Sequence, residues 1–486
     1  MSPPQATTTT EGAGSLSRRQ TAFMVAALVA SVISFQLNAT MLAPAIRDIN
    51  TELGPGAYAQ MSTYFYLSGA IANVVFIRWS DYIGRKRVLL GIMVVLCIGT
   101  LLCVLSTSLP VVVVGRILQG GCNVTFGLAF LILRERLSGQ AFGLCCGVIA
   151  SVNGGVAGVD ALLGGVMVDL WGYRSIFVLI LVVGVAAIAF GLKAVPADDP
   201  GRAASGRMDW VGAALIASTV AGINLFLAQG GRSGWVSPVA LGFVTAAIVA
   251  LVALVVVEKR ITHPLVDIDQ MRSRYAWPVI VVIVLCLASF TMAIAYIIPS
   301  LAEEDDIGFG TSAEMTALLF LTPAAVAQLI SAPLVGRLAM RIGFVTVLRA
   351  GLMAAVPITA LLAIFAFERN VVIVLVPLLG LAFGGVAGTA IAVLGVMQSP
   401  KDEPGSLPGL SNAAFGVGSS LGFAWAGPIV GQGTVSGFHS ALWVSVAIGV
   451  VALGVSFILK PRPAEELAPL VNASPPGPQE PTPSRL

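Results

Sequence analysis

Two stretches of the chain repeat one turn: Asp81-Tyr82-Ile83-Gly84-Arg85-Lys86-Arg87 and Gly336-Arg337-Leu338-Ala339-Met340-Arg341-Ile342-Gly343. Each places glycine and arginine between two long apolar runs, and Gly84 and Gly343 are 259 positions apart. A second pair has nearly the same offset. Gly172-Tyr173-Arg174-Ser175-Ile176-Phe177 answers to Gly437-Phe438-His439-Ser440-Ala441-Leu442, with 265 positions between Gly172 and Gly437. Two places that agree on one period read as an internal duplication. Outward from these turns, apolar runs of about 20 residues, the length that crosses a bilayer as a helix, number fourteen. Two homologous six-helix halves with two helices inserted between them give that spacing.

The expected division is a disordered N-terminus at 1–17, an N-terminal six-helix half at 18–195, a linker with two inserted transmembrane helices at 196–275, a C-terminal six-helix half at 276–460 and a disordered Pro-rich tail at 461–486. Composition agrees. Of 486 residues, 57% are hydrophobic and 10% charged, against about 25% charged in a soluble domain. A mean hydropathy of +0.93 and 53 glycines complete the signature of an all-α integral membrane protein. The first apolar run outlasts a signal-peptide core and lacks a cleavage pattern, so it reads as a retained span.

Charge placement sets the orientation. With the N-terminus inside, Arg47, Arg174, Arg232 and Arg369 fall outside and Arg116 within a span, while the rest of the 27 basic residues fall on the cytoplasmic side. The loop Glu303-Glu304-Asp305-Asp306 falls outside. The expectation is a multi-pass protein of the cell membrane with both termini cytoplasmic. The six cysteines lie in apolar runs and read as small buried hydrophobes. His263 and His439 are the two histidines, too far apart for a His-rich metal site, and a catalytic triad is not expected either.

The motifs resemble the major facilitator superfamily, in its fourteen-span drug:proton antiporter branch. Asp81, Gly84, Arg85 and Lys86 match the loop signature after the second span, with Ile77 and Tyr82 as departures. Arg116-Ile117-Leu118-Gln119-Gly120 resembles the Arg-x-x-Gln-Gly signature of the fourth span, where the arginine is implicated in proton coupling. The fifth-span signature Gly-Pro-x-x-Gly-Gly is here Asp160-Ala161-Leu162-Leu163-Gly164-Gly165, and the branch's first-span acid is the amide Asn38 in Leu37-Asn38-Ala39-Thr40. Met208-Asp209-Trp210-Val211-Gly212 opens the first inserted helix as in the branch.

An ionised side chain inside a span is costly and marks function or a structural pair. Helix rise places Arg116, Asp160 and Asn38 at one depth, about 10–12 Å below the outer surface, with Gln36 and Asn153 somewhat deeper. Asp160 paired with Arg116 is therefore the expected proton-coupling site, and Gln36, Asn38 and Asn153 the expected polar groups of a substrate cavity. Asp81, Gly84, Arg85 and Lys86 would latch the cytoplasmic gate. The resemblance implies an exporter of small, largely apolar organic compounds, proton-coupled and working by alternating access; a proton symporter importing an organic acid or other nutrient is the alternative. Neither an enzyme nor a nucleic-acid binder is expected. No cofactor is expected beyond the proton gradient, and the partners are a small-molecule substrate and the bilayer around a monomer.

Overall fold

The computed structural model describes residues 17–137, 139–198, 208–261, 273, 275–398 and 406–460, and all the regular structure among them is helical. In chain order the helices are α1 (Arg18–Thr40), α2 (Ile46–Leu53), α3 (Ala57–Ile83), α4 (Arg85–Leu105), α5 (Leu109–Arg136), α6 (Gly139–Trp171), α7 (Arg174–Ala194), α8 (Trp210–Ser233) and α9 (Pro238–Glu258). They continue as α10 (Trp277–Glu303), α11 (Ala313–Ile342), α12 (Phe344–Ile364), α13 (Arg369–Gly395), α14 (Ser406–Val430) and α15 (Val435–Ile458).

Local sequence explains the ends. Ser17 and Gln20 form a reciprocal capping box that starts α1, and Asp209 caps α8 through the Gly212 N–H at 2.8 Å. Gly84 and Gly343 hold the same left-handed turn, with φ of 103° and 88° and ψ of 140° and 141°, so the repeated sequence makes a repeated corner.

Among the described residues twelve helices are long and apolar enough to cross a membrane, by length and composition, against the fourteen expected from apolar runs. The difference lies in α3 and α6, which have 27 and 33 residues. Helix α3 is diluted by Gln60, Ser62, Thr63, Tyr64, Tyr66, Ser68 and Asn73, because it faces protein on most sides rather than lipid. The expected N-terminal and Pro-rich tails, and the loops around Arg202, His263 and Lys401, lie outside the described residues.

The helices before residue 198 and those after 275 meet along two seams, α3 against α14 and α6 against α11. The hairpin α8–α9 packs on the outside of the first seam, against α3 and α14. Small residues allow the close crossings: a methyl at Gly380 would lie 2.6 Å from the Ala324 carbonyl oxygen, and one at Gly418 2.7 Å from that of Val284. Side chains such as Leu105, Val182, Val249 and Met340 stand exposed on the outside of the bundle, as a lipid-facing surface requires.

The helices after residue 275 are interrupted by π-helical turns at Leu287–Thr291 and Ala293–Ile297 in α10, Ala317–Leu321 in α11 and Gly380–Gly388 in α13. Such turns are rare and concentrate at functional sites.

Candidate functional site

A cavity of about 150 Å³ lies between the two helix sets. Its polar groups are Thr40, Tyr58 and Tyr66 from the first set and Thr291, Gln328 and Ser419 from the second. The π-helical turns deliver Thr291, Ile294, Ala295, Leu321 and Gly380 to its wall. Phe423 on α14 closes one side. Its ring lies parallel to Tyr66 at 5.8 Å, at an interplanar angle of 10°, and meets Tyr58 edge-on at 5.8 Å. The Tyr66 hydroxyl donates to the Ala39 carbonyl at 3.0 Å, which fixes that ring.

Asp160 reaches this cavity through Thr40. The Thr40 hydroxyl lines the cavity and lies 2.5 Å from Asp160 Oδ2, and the Gln36 amide donates to the same hydroxyl at 3.0 Å. Asp160 is 2% exposed and its Oδ1 has no protein partner. A buried carboxyl with one oxygen held and one free can gain or lose a proton in place.

Arg116 is equally buried, at 2% exposure, but engages a different set. Nη1 donates to Asn38 Oδ1 at 3.0 Å and Gln119 Oε1 at 2.8 Å, and Nη2 to the Asn38 carbonyl at 3.3 Å. Gln119 continues to Thr100 at 2.9 Å, and the guanidinium stacks over Phe65 with its carbon 4.1 Å from the ring centre. Its Nε is left unbonded.

The expected Asp160–Arg116 ion pair is therefore not formed among the described residues. The equal depth is consistent with the partners found, Asn38 and Thr40 on one helix, but rotation separates the two charges. Asn38 and Thr40 are two residues apart, about 200° around the α1 axis, so α1 stands between acid and base. Gln36 and Asn38, expected in a substrate cavity, are instead buried in these networks and do not line the central cavity. The Asn153 side chain lies outside the described residues.

A second cluster bonds one helix set to the other at the end of the bundle that carries α2. The Arg47 backbone N–H donates to Glu303 Oε2 at 2.7 Å, and Arg47 Nη1 pairs with Asp305 at 3.1 Å. Asp169, at the end of α6, accepts from the Ala313 and Glu314 N–H groups at 3.1 and 3.0 Å and so caps α11. Thr322 on α11 donates to the Gly158 carbonyl at 3.1 Å. All these bonds join one helix set to the other. Glu303, placed by its sequence in an external loop, is the last residue of α10 and only 2% exposed. Next to it, partial burial and the charges of Asp306 and Asp305 raise the Glu304 carboxyl above its ordinary value.

A family model described as Major Facilitator Superfamily matches residues 28–423. The chain belongs to the major facilitator superfamily. It is 32% identical over 462 residues to the uridine/deoxyuridine transporter of Lactococcus lactis subsp. cremoris, covering 90% of this chain and 94% of that protein. It is also 28% identical over 360 residues to the multidrug resistance protein Stp of Mycobacterium tuberculosis, covering 72% of this chain and 64% of Stp. Among solved structures, the nucleoside transporter NupG shares the fold with a TM-score of 0.60 at 14% identity, over 90% of this chain and all of that one (100%).

In this major facilitator chain the loop signature forms a tight network. Arg85 pairs with Asp81 at 3.3 Å and with Glu135 of α5 at 3.0 Å. Asp198 accepts from the Lys86 and Arg87 N–H groups at 2.9 and 3.2 Å, capping α4. Lys86 Nζ donates to the Leu192 and Val195 carbonyls at 3.0 and 2.5 Å. Gly84 is required twice over: its φ is 103°, and a methyl there would meet Asp198 Oδ2 at 2.3 Å. These bonds tie α3 and α4 to the ends of α5 and α7, within one helix set.

Thr40, Glu303, Asp169 and Asp198 hold contacts that the sequence motifs do not announce. Thr40 carried a signal, since it sits in the same quoted tetrapeptide as Asn38.

Proposed function

We propose that this major facilitator transporter carries small planar molecules rich in hydrogen-bonding groups, with nucleosides of the uridine kind first among them, and that a proton taken up at Asp160 drives the exchange between its two states. The observation that carries the reading is the wall of the central cavity. Aromatic rings of Tyr58, Tyr66 and Phe423 offer flat faces, while Gln328, Ser419, Thr291 and Thr40 offer donors and acceptors around them. A base stacks on such faces and a ribose bonds to such groups. The relative named as a uridine/deoxyuridine transporter, aligned over nearly its whole length, supports the same substrate class.

Coupling runs through Thr40. Its hydroxyl touches both the cavity and Asp160, so a change of charge on Asp160 alters what Thr40 offers to substrate. The helices α3 and α6 complete fourteen spans, with α8 and α9 as the inserted pair and both termini cytoplasmic. The division at 18–195, 196–275 and 276–460 follows. The Arg47–Glu303 end then faces outward and is closed, and the Asp81–Arg85 loop serves the inner gate as a monomer cycles.

Export of largely apolar compounds is the second reading. The relatives named for multidrug resistance and the largely apolar remainder of the cavity wall favour it. Proteoliposomes decide between them. Uptake of labelled uridine that grows with an imposed pH gradient, and that unlabelled nucleosides but not apolar dyes suppress, is the expected result. Failure to move any nucleoside, with dye transport intact, would sink the first reading.

A further inference from the structure

A crevice beside the central cavity opens between α3, α14 and the α8–α9 hairpin, with a volume of about 320 Å³. One stripe of α8 builds its wall: Asn224, Leu225, Ala228, Gln229 and Arg232 follow one another at helical spacing. The deep end is apolar and aromatic, with Leu67, Phe243 and Phe423. Asn224 breaks that apolar floor. It is 1% exposed, its Nδ2 donates to the Val220 carbonyl at 2.9 Å, and its Oδ1 has no partner. A buried acceptor left unbonded is costly, by about 1–3 kcal/mol, and is explained when a ligand donor reaches it. The mouth is polar and cationic. Arg232 donates to Gln60 at 3.3 Å and makes no ion pair among the described residues. Pro55, Gly56, Gly431 and Gln432 also line a cleft of about 440 Å³ that holds Arg47, Glu303 and Asp305, so the crevice opens toward that end.

We propose that this crevice is a second ligand site, distinct from the central cavity, for a flat aromatic anion that carries a hydrogen-bond donor at its far end. The acid group sits at Arg232, the rings lie against Phe243 and Phe423, and the donor meets Asn224 Oδ1. Asn224 and Arg232 are eight residues apart, about 12 Å of helix rise, which a two-ring body and the reach of the arginine side chain cover. Phe423 is the wall common to this crevice and the central cavity. A bound ligand therefore braces the ring that any rearrangement of the central cavity must move, and slows transport without competing for the transported substrate. The site is independent of which substrate the central cavity takes.

The test titrates the purified full-length protein in lipid nanodiscs with 2,6-anilinonaphthalene sulfonate, whose sulfonate, rings and anilino N–H match the three features. Empty nanodiscs report partition of the dye into lipid. The expected result is a saturable component of one dye per protein, weakened at least tenfold by Arg232→Gln and by Asn224→Leu, and absent when Ala228→Trp fills the crevice. Arg232 is at the mouth, so its variant folds even if a filled crevice does not. Dye signal equal to that of empty nanodiscs would overturn the proposal. So would a saturable component that Arg232→Gln and Asn224→Leu leave unchanged.

Discussion

Thr40 and Asp160 share one short hydrogen bond, 2.5 Å, between the first and sixth helices, and Thr40 is also part of the central cavity wall. If that bond links proton to substrate, Asp160→Asn keeps substrate exchange across a membrane but abolishes the response to a pH gradient. Thr40→Val weakens the response and raises the apparent KM. Counterflow and gradient-driven uptake, measured side by side in proteoliposomes, separate the two. An Asp160→Asn variant that still concentrates substrate under a gradient would exclude Asp160 from coupling.

Arg116 is expected to be structural first. Removing its guanidinium in Arg116→Gln leaves the Asn38 and Gln119 oxygens buried and unpaired, a loss of about 1–3 kcal/mol for each group. Asn38→Asp should be tolerated beside Arg116, since the carboxylate gains a charged partner. The same change in the Arg116→Gln background should fold poorly, because it strands a charge. Thermal unfolding in detergent of the two single variants and the double variant reads this out, and equal stability of Asn38→Asp with and without Arg116 would contradict the contact.

The Arg47 end should yield to small changes. Arg47→Ala removes the exposed pair with Asp305, worth about 1 kcal/mol or less, and shifts a balanced equilibrium several-fold. Glu303→Gln weakens the bond to the Arg47 N–H and adds to that shift. Spin labels on α2 and α11 should show a larger population of separated distances in both variants. Unchanged distance distributions would mean that these bonds do not hold the end closed.

At the opposite end, Gly84→Ala should cost more than a surface glycine does. It strains a turn at φ 103° and drives Asp198 off the N–H groups of Lys86 and Arg87. Asp198→Ala loses the same caps without strain, about 1 kcal/mol. The expected order of melting temperature is wild type, Asp198→Ala, Gly84→Ala.

Glu304 gives a pH signature. Its carboxyl is raised, so the folded protein binds that proton more tightly than the unfolded chain. Stability from this group therefore rises as pH falls through the raised value, and stops rising once the unfolded carboxyl is also protonated. Glu304→Gln should flatten the melting temperature between neutral and mildly acid pH. A steeper dependence in the variant would reverse the assignment.

Much of this architecture is legible in the chain. The Gly84 and Gly343 corners, and the Arg85–Asp81 contact follow from residues that act locally. Position along a helix is legible too, because helix rise is constant. Rotation is not: a residue count cannot say which face of α1 meets α5 and which meets α6, and so Asp160 and Arg116 read as partners. Glu303 shows a different loss. Its acidic neighbours suggest solvent, whereas its burial depends on Arg47, 256 positions away. The long helix α3 is legible as an apolar run in spite of its polar residues, but that those residues face α14 and α8 rather than lipid is not.

The π-helical turns give the two helix sets unlike mechanical properties. A π turn holds one residue more than the α turn it replaces, so relaxing it re-indexes everything beyond by about 100°. In α10, α11 and α13 that slippage would swap which side chains face the cavity without moving a helix axis. Thr291, Leu321 and Gly380 sit at those joints. The chain thus pairs a set that carries Asp160 and, with a 3₁₀ turn at Gly121–Asn123 in α5, holds no π turn among the described residues, with a set whose cavity face can be dealt a second hand of side chains, and selectivity can change in evolution by single insertions there while the first set keeps its register.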